Sequence, residues 1–184
     1  MASRRTAETG VWIGIATVSM SFAALTSAMV VRQGAAGDWH HFQLPPVLYF
    51  NTLVLVASSV TLEAFRRRSG PMLGLGIRAP GLNWLYATVV LGLSFVVGQV
   101  LAWRDLAAQG LFVATNPSAS FFYVLTAIHG LHLIGGIVAV AYVSYRVVRR
   151  DGAPPYSALA ATAVYWHFMD LLWLYLLSIL TFLL

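Results

Sequence analysis

The chain has 184 residues and no cysteine; 59% of it is hydrophobic and 9% charged, against roughly 25% charged in an ordinary soluble domain, and its mean hydropathy of +0.78 places most of it in lipid rather than water. Without cysteine there is no disulfide framework, cysteine-ligated zinc, iron–sulfur cluster, c-type haem attachment or thiolate-bridged copper centre. The formal net charge is +5 and all 11 basic residues are arginines, but they lie between long uncharged runs rather than across a polar surface, which argues against a nucleic-acid partner.

A membrane-spanning helix needs about 20 largely apolar residues. The first candidate, Val11 to Val31, carries no charge and is long enough to span rather than be cleaved as a leader. The second, Pro46 to Phe65, holds only Glu63, close to its end; the third, Leu82 to Trp103, is uncharged. Asn116-Pro117 interrupts the next long run, and proline is accepted in the first turn of a helix, so the fourth span starts near Pro117 and ends near Val148. The fifth runs from Ser157, an N-cap candidate after Pro154-Pro155, to Leu184, with Asp170 as its one charge. The expectation is an all-α integral membrane protein, a single membrane domain over 1–184 with five transmembrane helices at about 11–31, 46–65, 82–103, 117–148 and 157–184.

Five spans put the two termini on opposite sides. One side then receives Arg4, Arg5, Arg66, Arg67, Arg68, Arg78, Arg146, Arg149 and Arg150, and the other only Arg32 and Arg104. The excess of arginine marks the cytoplasmic side, so the N-terminus is expected in the cytoplasm and the C-terminus on the periplasmic or external side. The connections are too short to hold a soluble catalytic domain. The segment Arg32–Pro45, with Asp38, Trp39, His40 and His41, reads as an external interfacial loop with Trp39 at headgroup level.

Ionisable groups inside the hydrocarbon are costly and therefore informative. They are His129 and His132 on the fourth helix and His167 and Asp170 on the fifth, each pair spaced i, i+3 and so on one helix face. Counted from the cytoplasmic turns, His132 and Asp170 differ by only about 4.5 Å in height on antiparallel helices, which leaves contact of either fourth-helix histidine with Asp170 geometrically open. Three readings fit: a hydrogen-bond network pinning helix to helix, a proton relay, and a haem or metal site. The network is preferred, because His129 and His132 share a helix and no Glu-x-x-His spacing occurs. Gly92, Gly98, Gly130, Gly135 and Gly136 thin the third and fourth helices for close packing. Tyr165, Trp166, Trp173 and Tyr175 read as packing and interfacial residues. Glu63 with Arg66 and Arg67 reads as a boundary ion pair. Arg146, Arg149 and Arg150 either set topology or bind an anionic lipid headgroup.

Two segments carry a resemblance. Ser120–Gly136 reads SFFYVLTAIHGLHLIGG and Tyr165–Tyr175 reads YWHFMDLLWLY. Together they closely resemble subunit III of the haem-copper terminal oxidases, with its FF…HGLH and YWHFVDxxWL motifs on the last two helices. Support comes from GVWIGIATVSMSFAAL at Gly10–Leu25, LPPVLYFNTLVLVASS at Leu44–Ser59 and GQVLAWRDLAAQGLFVATNP at Gly98–Pro117. The chain is similar to the short, five-helix bacterial form. The resemblance implies a non-catalytic subunit of a cytochrome c oxidase in the bacterial inner membrane. It implies no haem or copper and no catalytic residue in this chain, those cofactors belonging to partner subunits. The implied partners are subunit I, other oxidase subunits and phospholipid, and the implied roles are stabilising the catalytic subunit and sustaining proton uptake during oxygen reduction. His129, His132, His167 and Asp170 match the family's motif residues, and Arg146 matches a family arginine associated with lipid phosphate. Val18 and Ala160 stand where the family often has glutamates. A quinol oxidase subunit III and a small subunit associated with nitric oxide reductase remain open alternatives. From another class, so does an independent bis-histidine membrane cytochrome. A small proton-coupled transporter centred on Asp170 is disfavoured, because the two halves show no corresponding broken helices.

Overall fold

A computed structural model of the chain describes residues 2–35, 37–74, 81–149 and 156–184, with side chains from Thr9 onward. Its helices are α1 (Ala2–Ala35), α2 (Val47–Gly74), α3 (Leu82–Ala108), α4 (Pro117–Arg149) and α5 (Tyr156–Leu183). All five are long and apolar enough to cross a membrane. Spanning lipid as helices satisfies every main-chain polar group within the segment, which is why uncharged runs of this length adopt this form. Apolar residues occur all round each helix. Leu131, Val138 and Leu171 face outward, while inward positions recur every three or four residues, as in Phe122, Leu125, His129, Leu133, Gly136 and Val140 of α4.

The helix ends follow local chemistry. Asn116 caps α4: its side-chain oxygen accepts the Ala119 N–H at 2.7 Å, and Pro117 takes the first helical position. α3 stops at a glycine turn, where Gly110 has φ 81°, Leu111 N–H donates to the Leu106 carbonyl and Gly110 N–H to that of Ala107, both at 3.0 Å. Several helices outrun the hydrocarbon-length spans expected from the apolar runs. α2 continues beyond Phe65 through three arginines to Gly74, since arginine is a good helix former and Glu63 braces Arg66 and Arg67 one turn away. α1 begins at Ala2 rather than near Val11. α5 begins at Tyr156, so Ser157 lies inside the first turn rather than at the cap; Arg78, Arg150 and Pro154-Pro155 lie outside the described residues.

α5 packs against α1, α2 and α4, while α3 packs against α2 and α4. Helices α2, α3, α4 and α5 therefore form a closed ring, with α1 applied to its α4–α5 edge. There Val18 and Phe22 enter the core, and Thr26 bonds the Tyr175 hydroxyl at 3.0 Å. The segment after α1 crosses the end of α5 and closes it. Phe42 N–H donates to the Leu184 main-chain oxygen at 2.9 Å, Trp39 Nε1 to the Leu183 carbonyl at 2.9 Å, and Ser118 Oγ to the His40 carbonyl at 2.7 Å. Trp39 is thus a half-buried cap on α5 rather than only a headgroup-level anchor.

Candidate functional site: the polar seams of the bundle

Trp166 is the centre of the ring. It is fully buried on α5, yet touches all three other members. Its Nε1 donates to Ser58 Oγ of α2 at 3.0 Å. Its ring lies over Gly92 of α3 and Gly136 of α4, where a Cβ would approach it to 2.9 Å and 3.2 Å. Those two glycines make room for an indole that no larger residue would admit. Asn51 of α2 similarly packs onto Gly98 of α3 and donates to the Phe95 carbonyl at 3.1 Å. At Gly130 and Gly135 an added Cβ would meet nothing within 4 Å, so of the five glycines on α3 and α4 close packing falls to Gly92, Gly98 and Gly136.

The four intramembrane ionisable residues divide into three environments. His129 is fully buried between the rings of Trp173, 5.2 Å away, and Phe95, 6.0 Å away. Neither of its nitrogens has a hydrogen-bond partner among the described residues. His132 turns toward α1: its ring meets Phe22 edge-on, its Nδ1 lies 2.8 Å from the Ile128 carbonyl one turn back, and its own carbonyl accepts from Tyr165 Oη at 3.1 Å. His167 and Asp170 meet on α2, where Ser59 Oγ bonds Asp170 Oδ2 and lies 3.1 Å from His167 Nδ1.

The α4-to-α5 hydrogen bond judged open from depth is therefore not formed. Height fixed only one of two coordinates. His129 points into the aromatic core and His132 away from it, while Asp170's angular position on α5 aims it at α2. Sequence reasoning missed the partners on α2, namely Thr52, Ser58 and Ser59. Trp173 Nε1 donates to Thr52 Oγ1 at 3.0 Å, so α2 presents a hydroxyl ladder to four residues of the YWHFMDLLW segment, Trp166, His167, Asp170 and Trp173. Uncharged hydroxyls are common in spanning helices and gave no signal of their own; the i, i+7 spacing of Thr52 and Ser59 is the one trace that marks a shared face, with Ser58 about 100° round the helix from Ser59. Gln99 was also missed. It is buried on α3, with no partner for either amide atom among the described residues. Among those residues no group of three His, Asp or Glu side chains is placed to hold a metal ion.

At the end carrying Arg66 and Arg67, Glu63 accepts from Arg66 Nε and Nη2 at 2.7 Å each and from Arg67 Nε at 2.6 Å. It also lies 3.6 Å from His167 Nε2. Arg146 leans on Tyr142, with Nη1 3.0 Å from the hydroxyl. At the opposite end Asp38 is bidentate to Arg32, at 2.9 and 2.6 Å, and that guanidinium hydrogen bond holds the exposed Asp38 carboxyl below the usual carboxylate range.

Comparison with known proteins bears on this arrangement as a whole. Residues 14–183 match the family model described as cytochrome c oxidase subunit III. The chain is 31% identical to a probable cytochrome c oxidase subunit 3 of Mycobacterium bovis, and 32% identical to one of Nocardia farcinica. Each alignment covers 94% of this chain and 86% of the relative. It is 28% identical to a cytochrome bo(3) ubiquinol oxidase subunit 3 of Pseudomonas putida, over 90% of this chain and 80% of that protein. With five helices able to span a membrane and a match along almost its entire length, the chain belongs to the cytochrome c oxidase subunit III family and is the subunit III of a haem-copper oxidase, a multi-pass bacterial membrane protein.

Proposed function

We propose that this subunit works as a non-catalytic scaffold, a single membrane domain packed beside subunit I of a cytochrome c oxidase. Haem and copper reside in partner chains, and reducing equivalents come from cytochrome c. The N-terminus lies in the cytoplasm and the C-terminus outside, supported by the nine-to-two partition of arginines. The observation that carries the scaffold reading is how the motif side chains are used. Trp166, Trp173, His167 and Asp170 bond α2, and the His129 ring packs between Phe95 and Trp173. The most polar sequence in the membrane thus holds helices in fixed register. The apolar outer surface left over suits lipid and neighbouring subunits.

Arg146 is proposed to bind a phospholipid phosphate. It sits in the last turn of α4, at the boundary where a guanidinium meets headgroups. By holding the catalytic subunit's flank and excluding bulk water from it, the scaffold sustains proton uptake during oxygen reduction.

The test is purification of the tagged chain from its native membrane, with an optical spectrum and oxygen consumption measured on the product. Haem that co-purifies, with oxygen reduction driven by reduced cytochrome c, is the expected result. Reduction driven only by a quinol would instead place the chain with its Pseudomonas putida relative. A colourless product, or haem bound to this chain expressed alone, overturns the reading.

A further inference from the structure

We infer that Asp170 and His167 hold one proton between them, passed through the hydroxyl of Ser59, so that this seam is a buried proton-binding site as well as a helix contact. The inference rests on counting donors and acceptors along a chain of four groups. Glu63 accepts three arginine N–H bonds on its two oxygens and is therefore an ionised, acceptor-only group. His167 Nε2 faces it at 3.6 Å. His167 Nδ1 faces Ser59 Oγ at 3.1 Å, and Ser59 Oγ bonds Asp170 Oδ2. The hydroxyl owns one hydrogen and can donate in only one direction.

Two arrangements satisfy every contact, and they contain the same number of protons. In one, Asp170 is a neutral acid donating from Oδ2 to Ser59, Ser59 donates to Nδ1, and Nε2–H points at Glu63. In the other, Asp170 is a carboxylate accepting from Ser59, which accepts from Nδ1–H of an imidazolium whose Nε2–H still points at Glu63. They interconvert when the Asp170 proton moves to Ser59 and the Ser59 proton moves to Nδ1; no electron is transferred and the charge of the triad stays zero.

Removing that proton leaves no satisfactory arrangement. With neutral imidazole protonated at Nδ1, the Nε2 lone pair faces the Glu63 carboxylate. With it protonated at Nε2, one hydroxyl hydrogen must serve both the Nδ1 lone pair and the Asp170 carboxylate. Burial adds to the preference for the protonated triad. Asp170 is 8% exposed, and its Oδ1 has no partner among the described residues, a lesser cost for the carbonyl of a neutral acid than for half of a carboxylate.

The surroundings hold few competing charges. From α2 the facing groups are Glu63, Arg66 and Arg67. On α4, His132 turns to Phe22 with its Nδ1 engaged by its own helix, and His129 lies between Phe95 and Trp173. From α1 come Phe22, against His132, and Thr26, bonded to Tyr175. His167, with 40% of its side chain exposed, is the member of the triad that reaches the surface of the chain.

The test is infrared difference spectroscopy during a pH titration of the intact membrane complex, with carbon-13 in the aspartate carboxyls. The expected result is a protonated-carboxyl band lost in the same step as a change in the imidazole bands. In Ser59→Ala the two separate into independent steps, and in Ser59→Thr, which keeps the hydroxyl, the single step returns. Asp170→Asn abolishes the band yet assembles, because the amide N–H stands in for the acid proton. Three results overturn the inference: no protonated aspartate band between the acid and alkaline limits of the assembled complex, carboxyl and imidazole bands that already titrate independently with Ser59 present, or a step unchanged in Ser59→Ala. The labelled unmodified chain decides the matter even where a variant fails to assemble, and a purely structural contact would give no coupled spectral step.

Discussion

Trp166 Nε1 donates to Ser58 Oγ at 3.0 Å, and the same indole fills the notch over Gly92 and Gly136, so one side chain of α5 determines its distance from α2, α3 and α4 together. Adding a methyl at Gly92 or Gly136 forces a fully buried ring to shift, and overpacking of this kind costs about 1–3 kcal/mol. Gly92→Ala and Gly136→Ala should lower the thermal unfolding midpoint of the detergent-solubilised chain. Gly130→Ala and Gly135→Ala, with open space at their Cβ positions, should leave it level or raise it. Equal effects at all four glycines would refute the central role of Trp166.

Ser58→Ala separates the polar contact from the packing. It strands the indole N–H in a dry core, at about 1–3 kcal/mol, but leaves the ring seated on Gly92 and Gly136. Trp166→Phe removes the N–H and also the part of the ring that rests on those two glycines, although Ser58 Oγ keeps its own bond to the Leu55 carbonyl at 2.6 Å. The phenylalanine variant should therefore be the more damaging of the two. A larger loss from Ser58→Ala, read by chemical denaturation, would show that the hydrogen bond rather than ring volume governs this contact.

Asn51 and Gly98 make a second such joint, and their coupling is measurable as a double-mutant cycle. In Gly98→Ala the new methyl displaces the Asn51 amide from its 3.1 Å bond to the Phe95 carbonyl. In Asn51→Ala the bond is already gone and the space is free. The double variant should therefore be markedly more stable than the sum of the two single losses predicts. Strict additivity would mean that the side chain does not rest on the glycine.

The uncharged runs made the number of helices readable, because lipid leaves a chain of this composition few alternatives. Asn116-Pro117 made the start of α4 readable for a local reason, a cap followed by a residue with no N–H to lose. The partners of the polar residues were not readable. His129 and His132 sit i, i+3 apart, yet one enters the aromatic core and the other meets α1, because a spacing of three residues still separates side chains by about 60° around the axis. Asp170 found Ser59 rather than a histidine of α4 because α2 and α4 both flank α5, and its angular position on α5 decides which of the two it meets. The apolar spacing of α5 marks what is buried but not which neighbour buries it. The α2 helix outruns its apolar run at Arg66–Arg68, where helix propensity and the ion pairs of Glu63 carry it on.

For Arg146, the proposed lipid contact predicts a loss of bound phospholipid rather than of folding. The side chain lies at the boundary and leans on Tyr142, so Arg146→Gln should barely move the unfolding midpoint. It should lower the amount of tightly held anionic phospholipid recovered with the complex, read by native mass spectrometry. Unchanged lipid stoichiometry would leave that arginine with a topological role alone.

The cap on α5 is testable through Trp39. Its indole N–H and the Phe42 N–H serve carbonyls of the last turn, which have no intrahelical donors of their own, and Trp39 also packs against Phe121. Trp39→Phe keeps most of the ring and removes the donor. Limited proteolysis between α1 and α2 should therefore accelerate while the helical content of the bundle is retained. Asp38, one residue earlier, contributes in the opposite pH sense to a basic group. Its carboxyl is depressed in the folded chain by Arg32, so its contribution is present above the ordinary aspartate range and disappears as the pH falls through the lowered value. Because Asp38 is solvent-exposed, Asp38→Asn should alter cleavage little at neutral pH and remove only the acid-side component of its pH dependence. If Asp38→Asn opened the segment as much as Trp39→Phe does, the ion pair rather than the cap on α5 would be what holds it down.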